Sequence, residues 1–244
     1  TLTSIVTDVR QNYTKATSDT LTASDRRIIM ENLQALSDEI YNTGNVDFAG
    51  RSVFTGYRTS ETLTFQKNEE VNYKITENSS SYTLDEYRYV TFKSGQNDET
   101  AVTNNNIMRV RLSYKNLSDA APEIYTLAAD GKTKANVATV MVVHEQATPN
   151  PYESALDTAN KDSVIYIPET GELLFGEDAA KTYSGLDFKV DYNKDTWTRG
   201  ELRPEHYFDC TDLTNNIVYD EMLKDKDIDV CVFNMADTDN FLKV

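Results

Sequence analysis

Leu2-Thr-Ser-Ile5-Val-Thr-Asp-Val9-Arg-Gln-Asn-Tyr13-Thr-Lys-Ala16 carries its apolar side chains at steps of three and four. A turn of 3.6 residues stacks such positions on one face, so the spacing predicts a helix over 1–17. The same rhythm returns at Ile29, Leu33, Leu36 and Ile40 and predicts a second helix over 24–42. Residues 17–24 read Thr-Ser-Asp-Thr-Leu-Thr-Ala-Ser, side chains that compete for backbone hydrogen bonds and break the pattern. Ser24 or Asp25 is the expected cap, accepting a backbone N–H of the second helix. No Gly occurs before Gly44 and no Pro before Pro122. No third helical stripe in the chain is there to cover these two, which leaves a strand of the same fold or a neighbouring subunit.

Beyond residue 60 the chain changes character. Residues 1–60 carry six Lys or Arg and seven Asp or Glu, so all but one unit of the net charge of −16 falls on 61–244. The later residues favour Thr, Tyr, Val and Asn in short runs that read as strands. The candidates are 63–65, 71–76, 87–92, 107–114, 124–127, 137–144, 164–167, 172–175, 186–192 and 228–233. Pro168-Glu-Thr-Gly171 sits between two of them, as a hairpin loop should. Residues 95–106 and 146–162 are polar and rich in turn formers, and are expected to be loops. Strands that follow helices predict an α+β fold: an N-terminal helical stem, then a mostly antiparallel, acidic β domain.

Composition excludes several classes. An excess of 40 acidic over 24 basic residues opposes binding to a phosphate backbone. Fifteen Tyr and nine Phe are too many for a disordered acidic tail, and no apolar run is long enough to cross a bilayer. The two Cys and two His would all be consumed by one four-ligand zinc site.

Single motifs carry little chemistry. Asp225-Lys-Asp227-Ile-Asp229 opens like a calcium loop, but Val230 and Ala236 stand where Gly and a bidentate Glu are needed. Gly171 and Gly176 have P-loop spacing, yet Glu177-Asp178 would repel a phosphate. His206 and Cys210 are near in sequence, but nothing beside them reads as an oxyanion-forming turn, and a structural role is the better reading. Cys231 has the surroundings of a small buried hydrophobe. The tyrosines of the strands admit two readings, a sugar-stacking platform or aromatics packed across a sheet, and the second is preferred.

One stretch points to a family. Leu33-Gln-Ala-Leu-Ser-Asp-Glu-Ile40 leads through Asn42 to Phe48-Ala-Gly-Arg-Ser-Val-Phe-Thr-Gly56. This resembles the flagellin superfamily, in which a helix ends at an Asn-containing loop and enters a short hairpin bracketed by glycines. Ile167-Pro-Glu-Thr-Gly-Glu-Leu-Leu-Phe-Gly176 and Gly200-Glu-Leu-Arg-Pro-Glu-His-Tyr-Phe-Asp-Cys210 fit the junction proteins of that superfamily better than flagellin itself. The resemblance implies a stem domain of residues 1–60 and 186–244, with a hairpin over 46–57, and an outer β domain of residues 61–185. In it Val53 and Phe54 would pack back on the helix end. Relative to the family's long axial helices, the sequence would begin partway along the first and end before the last.

The function implied is mechanical: a structural component of the bacterial flagellum that connects hook to filament by subunit packing, with no reaction to catalyse and no cofactor or metal. The implied partners are a first junction protein, flagellin and copies of the chain itself. Leu2, Ile5, Val9, Leu33, Leu36 and Ile40 are the expected apolar contacts between subunits. No basic, apolar, small-residue leader is visible, in keeping with export through the flagellar channel to the cell exterior without a cleaved signal. The competing class is a surface adhesin or carbohydrate-binding β module.

Overall fold

The structure, a computed structural model, describes residues 2–17, 21–56, 58–79, 84–92 and 102–219. The chain is mixed α+β with mostly antiparallel sheets, and it divides into two compact units, Thr1–Glu69 with Trp197–His206, and Glu70–Thr196 with Tyr207–Val244.

The first unit begins with α1 (Leu2–Ala16) and α2 (Ala23–Gly44), within two residues of the predicted limits, and the two helices pack against each other. The cap of α2 lies earlier than expected. Thr22, rather than Ser24 or Asp25, is the N-cap: its Oγ1 accepts from the Asp25 N–H at 3.2 Å, while Asp25 Oδ2 accepts from the Thr22 N–H at 3.0 Å. This reciprocal pair satisfies two of the N–H groups that a helix start leaves open, and Thr22→Ala would cost about 1 kcal/mol. Ser24 already lies inside the first turn. At the other end Asn45 is the C-cap, and its side chain both accepts from the Thr64 N–H (2.9 Å) and donates to Thr64 Oγ1 (2.6 Å).

A small hairpin follows, β1 (Asp47–Phe48) paired with β2 (Arg51–Ser52) across the two-residue turn Ala49-Gly50. Both turn residues are left-handed, φ 55° and 75°, as in the type I′ turns whose twist matches that of the flanking strands. Residues 63–65, expected as a strand, form an irregular ladder with 200–203 instead. Phe65 N–H donates to Glu201 C=O, Gly200 N–H to Phe65 C=O and Arg203 N–H to Leu63 C=O, with a single bridge between Thr64 and Leu202. Phe65 stacks on Trp197 at 4.6 Å between ring centroids, and the Arg203 guanidinium lies 4.8 Å above the Phe65 ring.

The second unit contains two sheets. Five strands run in the order β4 (Asp85–Phe92), β5 (Val102–Arg111), β10 (Glu172–Phe175), β9 (Ser163–Ile167) and β8 (Thr139–Val142). In this sheet only β8 is parallel to its neighbour. Six strands run in the order β13 (Ile217–Val218), β12 (Asp209–Asp212), β3 (Glu69–Ser79), β11 (Phe188–Trp197), β6 (Glu123–Leu127) and β7 (Lys134–Ala135). Phe175 of β10 meets Phe188 of β11 edge to face at 6.0 Å, and Tyr183 joins both rings from α4 (Glu177–Tyr183). On the five-stranded sheet, α3 (Pro151–Leu156) packs Ala155 against Ile107, Ile165, Ile167 and Leu174. Val164, Ile165, Tyr166 and Ile167 are all buried, so the interior strand β9 reads as a continuous apolar run and not as an alternation.

Several boundaries differ from the sequence reading. The expected division at residues 60/61 and 185/186 separates strands of one sheet: β11 and β12 both join the sheet of β3, which places residues 70–196 and 207–219 in the β unit. Within the expected loop 95–106, residues 102–106 are the start of β5, paired with Asn106-to-Val102 partners Arg88 to Phe92. The expected loop 146–162 holds α3 and a 3₁₀ turn at Thr158–Asn160. Helix α4 was not expected. The candidate strand 228–233, the Asp225–Asp229 motif and Cys231 lie outside the described residues.

Candidate interaction surface

The six expected contact residues lie on the two helices of the first unit. Leu2 is the first residue of α1. Ile5 is only 4% exposed, and Val9, Leu33, Leu36 and Ile40 are half-buried, with Ile29 at 8% exposure on the same stripe of α2. Ile5 and Ile29 are thus the buried positions of the helix pair, and Val9, Leu33, Leu36 and Ile40 are partly covered, as the apolar stripes of two packed amphipathic helices are.

The apolar side chains that remain open to water are others. Tyr13 is 69% exposed on α1 and Met30 70% on α2, and Val6, Ile28 and Tyr41 are also exposed. The hairpin adds Val46, Val53, Phe54 and, at 79% exposure, Phe48. Val53 and Phe54, which the family resemblance would pack on the helix end, are each left 54% exposed. A ribbon with two residues per strand cannot cover both of its faces, and the Val53 N–H is engaged with the Val46 C=O at the hairpin base. The sequence signal was available, because Val46, Phe48, Val53 and Phe54 crowd a stretch too short to build its own core. On α2, Arg27 and Glu31 form a surface pair at 3.0 Å. A polar cleft of about 470 Å³ lies beside the end of α2, lined by Asp38, Tyr41, Asn42, Gln66 and Arg199 among others, and Arg199 Nη2 reaches Asn42 Oδ1 at 3.4 Å.

The residues weighed for chemistry sit in structural roles. His206 Nε2 lies 2.8 Å from the Thr62 C=O, and burial pushes its pKa below the usual imidazole value. Cys210 is buried in β12, opposite Ile75 of β3. The tyrosines of β4 use their faces on one another's neighbours: Tyr89 stacks on Tyr152 at 5.2 Å, Tyr87 meets Tyr152 at 5.3 Å, and Arg109 lies 4.3 Å over the Tyr87 ring. These ring contacts run from a strand to a helix, whereas the sequence reading expected them from strand to strand. Tyr152 Oη donates to Glu172 Oε2 at 2.7 Å, and burial together with that carboxylate raises the phenol pKa. Among the described residues no group of three His, Cys, Asp or Glu could hold a metal ion, and no helix is long and apolar enough to cross a membrane. No family model, curated protein or solved structure matches the chain.

Proposed function

We propose that the chain is a structural subunit of the bacterial flagellum, similar to flagellar hook-associated protein 3, which joins the hook to the filament through a first junction protein. The observation that supports this reading is the outward-facing hairpin: directly after two helices free of internal breakers, a two-residue-per-strand ribbon exposes Phe48, Val53 and Phe54 to water. Apolar groups gathered this way are costly in a solitary protein and favourable in one that is finally enclosed by neighbours.

In this reading α1 and α2 form part of an axial stem. Ile5, Val9, Leu33, Leu36 and Ile40 hold the pair together, while Val6, Tyr13, Ile28, Met30 and the hairpin reach adjacent subunits. The β unit faces solvent, and its net charge keeps it soluble. The chain passes the flagellar channel unfolded and folds at the distal end.

The test is complementation. The intact gene, expressed in a strain lacking its hook–filament junction protein, should restore attached filaments, and Phe48→Asp with Phe54→Asp should abolish that rescue while leaving export intact. Filaments that stay unattached with the unaltered gene would reject the assignment.

A further inference from the structure

Strand β4 is an edge strand: β5 lies on one side of it, and among the described residues no strand lies on the other. It is eight residues long, Asp85-Glu-Tyr-Arg-Tyr-Val-Thr-Phe92. An edge of that length leaves a row of N–H and C=O groups without ladder partners, and natural sheets commonly guard such rows with a charge that repels a second strand.

The charges on β4 do the opposite. Tyr87 and Tyr89 point to the face occupied by Tyr152, so Glu86, Arg88 and Val90 occupy the other face. Glu86, Arg88 and Val90 are exposed, and among the described residues neither Glu86 nor Arg88 forms an ion pair. Two opposite charges, two residues apart on one face of a strand, are self-complementary under a two-fold axis. When two copies of β4 run antiparallel about Tyr87, Glu86 of each falls directly opposite Arg88 of the other. Opposite charges at such positions attract, and Tyr87 faces its own copy as an aromatic pair.

We propose that this edge is a homodimerisation surface, with β4 pairing antiparallel to β4 of a second copy in the register that sets Glu86 against Arg88. The occupant is a second copy because the charge pattern matches itself; the two five-stranded sheets then become one of ten strands. The proposal does not depend on the flagellar reading, since it uses only the β unit.

The test is sedimentation of the full chain over a range of concentrations. The unaltered chain should show a reversible dimer. Arg88→Glu and Glu86→Arg each place like charges opposite one another twice per dimer, and each should weaken association by about tenfold or more. The double swap Glu86→Arg/Arg88→Glu should restore it to within a few-fold of the original. All three changes are at exposed positions, and far-UV circular dichroism checks that the sheets are retained. A second measurement fixes the register: a chain with Glu86→Cys mixed with a chain with Arg88→Cys should form an interchain disulfide faster than either chain alone, because opposed residues of paired strands lie about 4.5–5.5 Å apart at Cα. A chain that stays monomeric throughout, or a double swap that fails to rescue, overturns the proposal. Association that survives every β4 change but falls with Phe48→Asp also overturns it, and would assign self-assembly to the hairpin instead.

Discussion

Arg109 Nη1 and Glu172 Oε1 stand 3.1 Å apart in the β unit, with side chains 8% and 7% exposed. The β5–β10 register sets Arg111 directly opposite Glu172, so Arg111 Nε reaches the same oxygen at 3.0 Å, and Tyr152 Oη occupies the other. Arg109 Nε, however, has no hydrogen-bond partner among the described residues. A buried pair with an open donor costs desolvation that its attraction only partly offsets. Removing one member should therefore be worse than removing both. Glu172→Ala is expected to destabilise the β unit by about 3–5 kcal/mol, and Glu172→Leu with Arg109→Met to recover most of that loss. Denaturant unfolding followed by the near-UV signal of the tyrosines measures both, and a double variant as unstable as the single one would refute the argument.

The two histidines should titrate on opposite sides of the ordinary value of 6.5. Glu169 Oε1 lies 2.7 Å from His144 Nδ1, and this hydrogen bond and charge raise the exposed His144. Burial lowers His206. The signs follow from linkage. Stability from His144 is fully present below 6.5 and is lost as pH rises through its raised pKa. Glu169 is lowered from 4.5 despite its partial burial, by hydrogen bonds from the backbone and His144, so its contribution is present above 4.5 and is lost as pH falls through its folded value. The pair is therefore strongest between about 4.5 and 6.5. His206 acts the other way from His144: the unfolded chain takes up its proton below 6.5, and stability falls with pH from there toward the folded pKa. Imidazole NMR resonances of the full chain should resolve one pKa above 6.5 and one below. Glu169→Gln should lower the first and leave the second in place; two coincident titrations would contradict the geometry.

The elements legible in the sequence were those whose burial is set by one dominant surface. The stripes of α1 and α2 read at once, as did the β9 and β10 hairpin, because Pro168 to Gly171 announces the turn. Three features were harder. In α3 the signals were present but short: Asn150 caps the first turn through Glu153 N–H, and Pro151 sits at the start, within a stretch whose polar average suggests a loop. In α4 the Glu177-Asp178 pair was read against phosphate binding, whereas carboxylates in a first turn also favour the positive end of a helix. In the first half of β5 the run Asn104-Asn-Asn106 is poor in strand formers, and it is a strand because β4 supplies a full ladder for it. The exposed apolar residues of the first unit were only half legible, because a stripe predicts that a face will be covered without saying what covers it.

The hairpin turn offers a test of its own. Ala49 is held at φ 55°, a conformation that costs an alanine about 1 kcal/mol because its Cβ crowds the following carbonyl. Asn tolerates that region, and Asn-Gly is the preferred pair for this turn. Ala49→Asn should stabilise the first unit by about 0.5–1 kcal/mol. Trp197, the single tryptophan, stacks on Phe65 in that unit and reports its unfolding by fluorescence. An unchanged or lower midpoint would mean that the turn is not left-handed at residue 49.

Gly171 closes the hairpin between β9 and β10 at φ 68°, donating its N–H to the Ile167 C=O and accepting from the Leu112 N–H. A Cβ there would lie 2.2 Å from the Tyr114 carbonyl oxygen, a backbone atom that cannot swing aside. Gly131 has nearly the same backbone, φ 66°, but open space around the Cβ position. The two glycines thus separate left-handed strain from collision. Gly131→Ala should cost about 1 kcal/mol, the strain alone, and Gly171→Ala about 3 kcal/mol or more, since the backbone around Tyr114, just beyond β5, must also shift. Both variants are read by the same thermal unfolding of the β unit. Equal losses would mean that the Tyr114 segment yields freely, and with it the close approach between that segment and the β9–β10 turn.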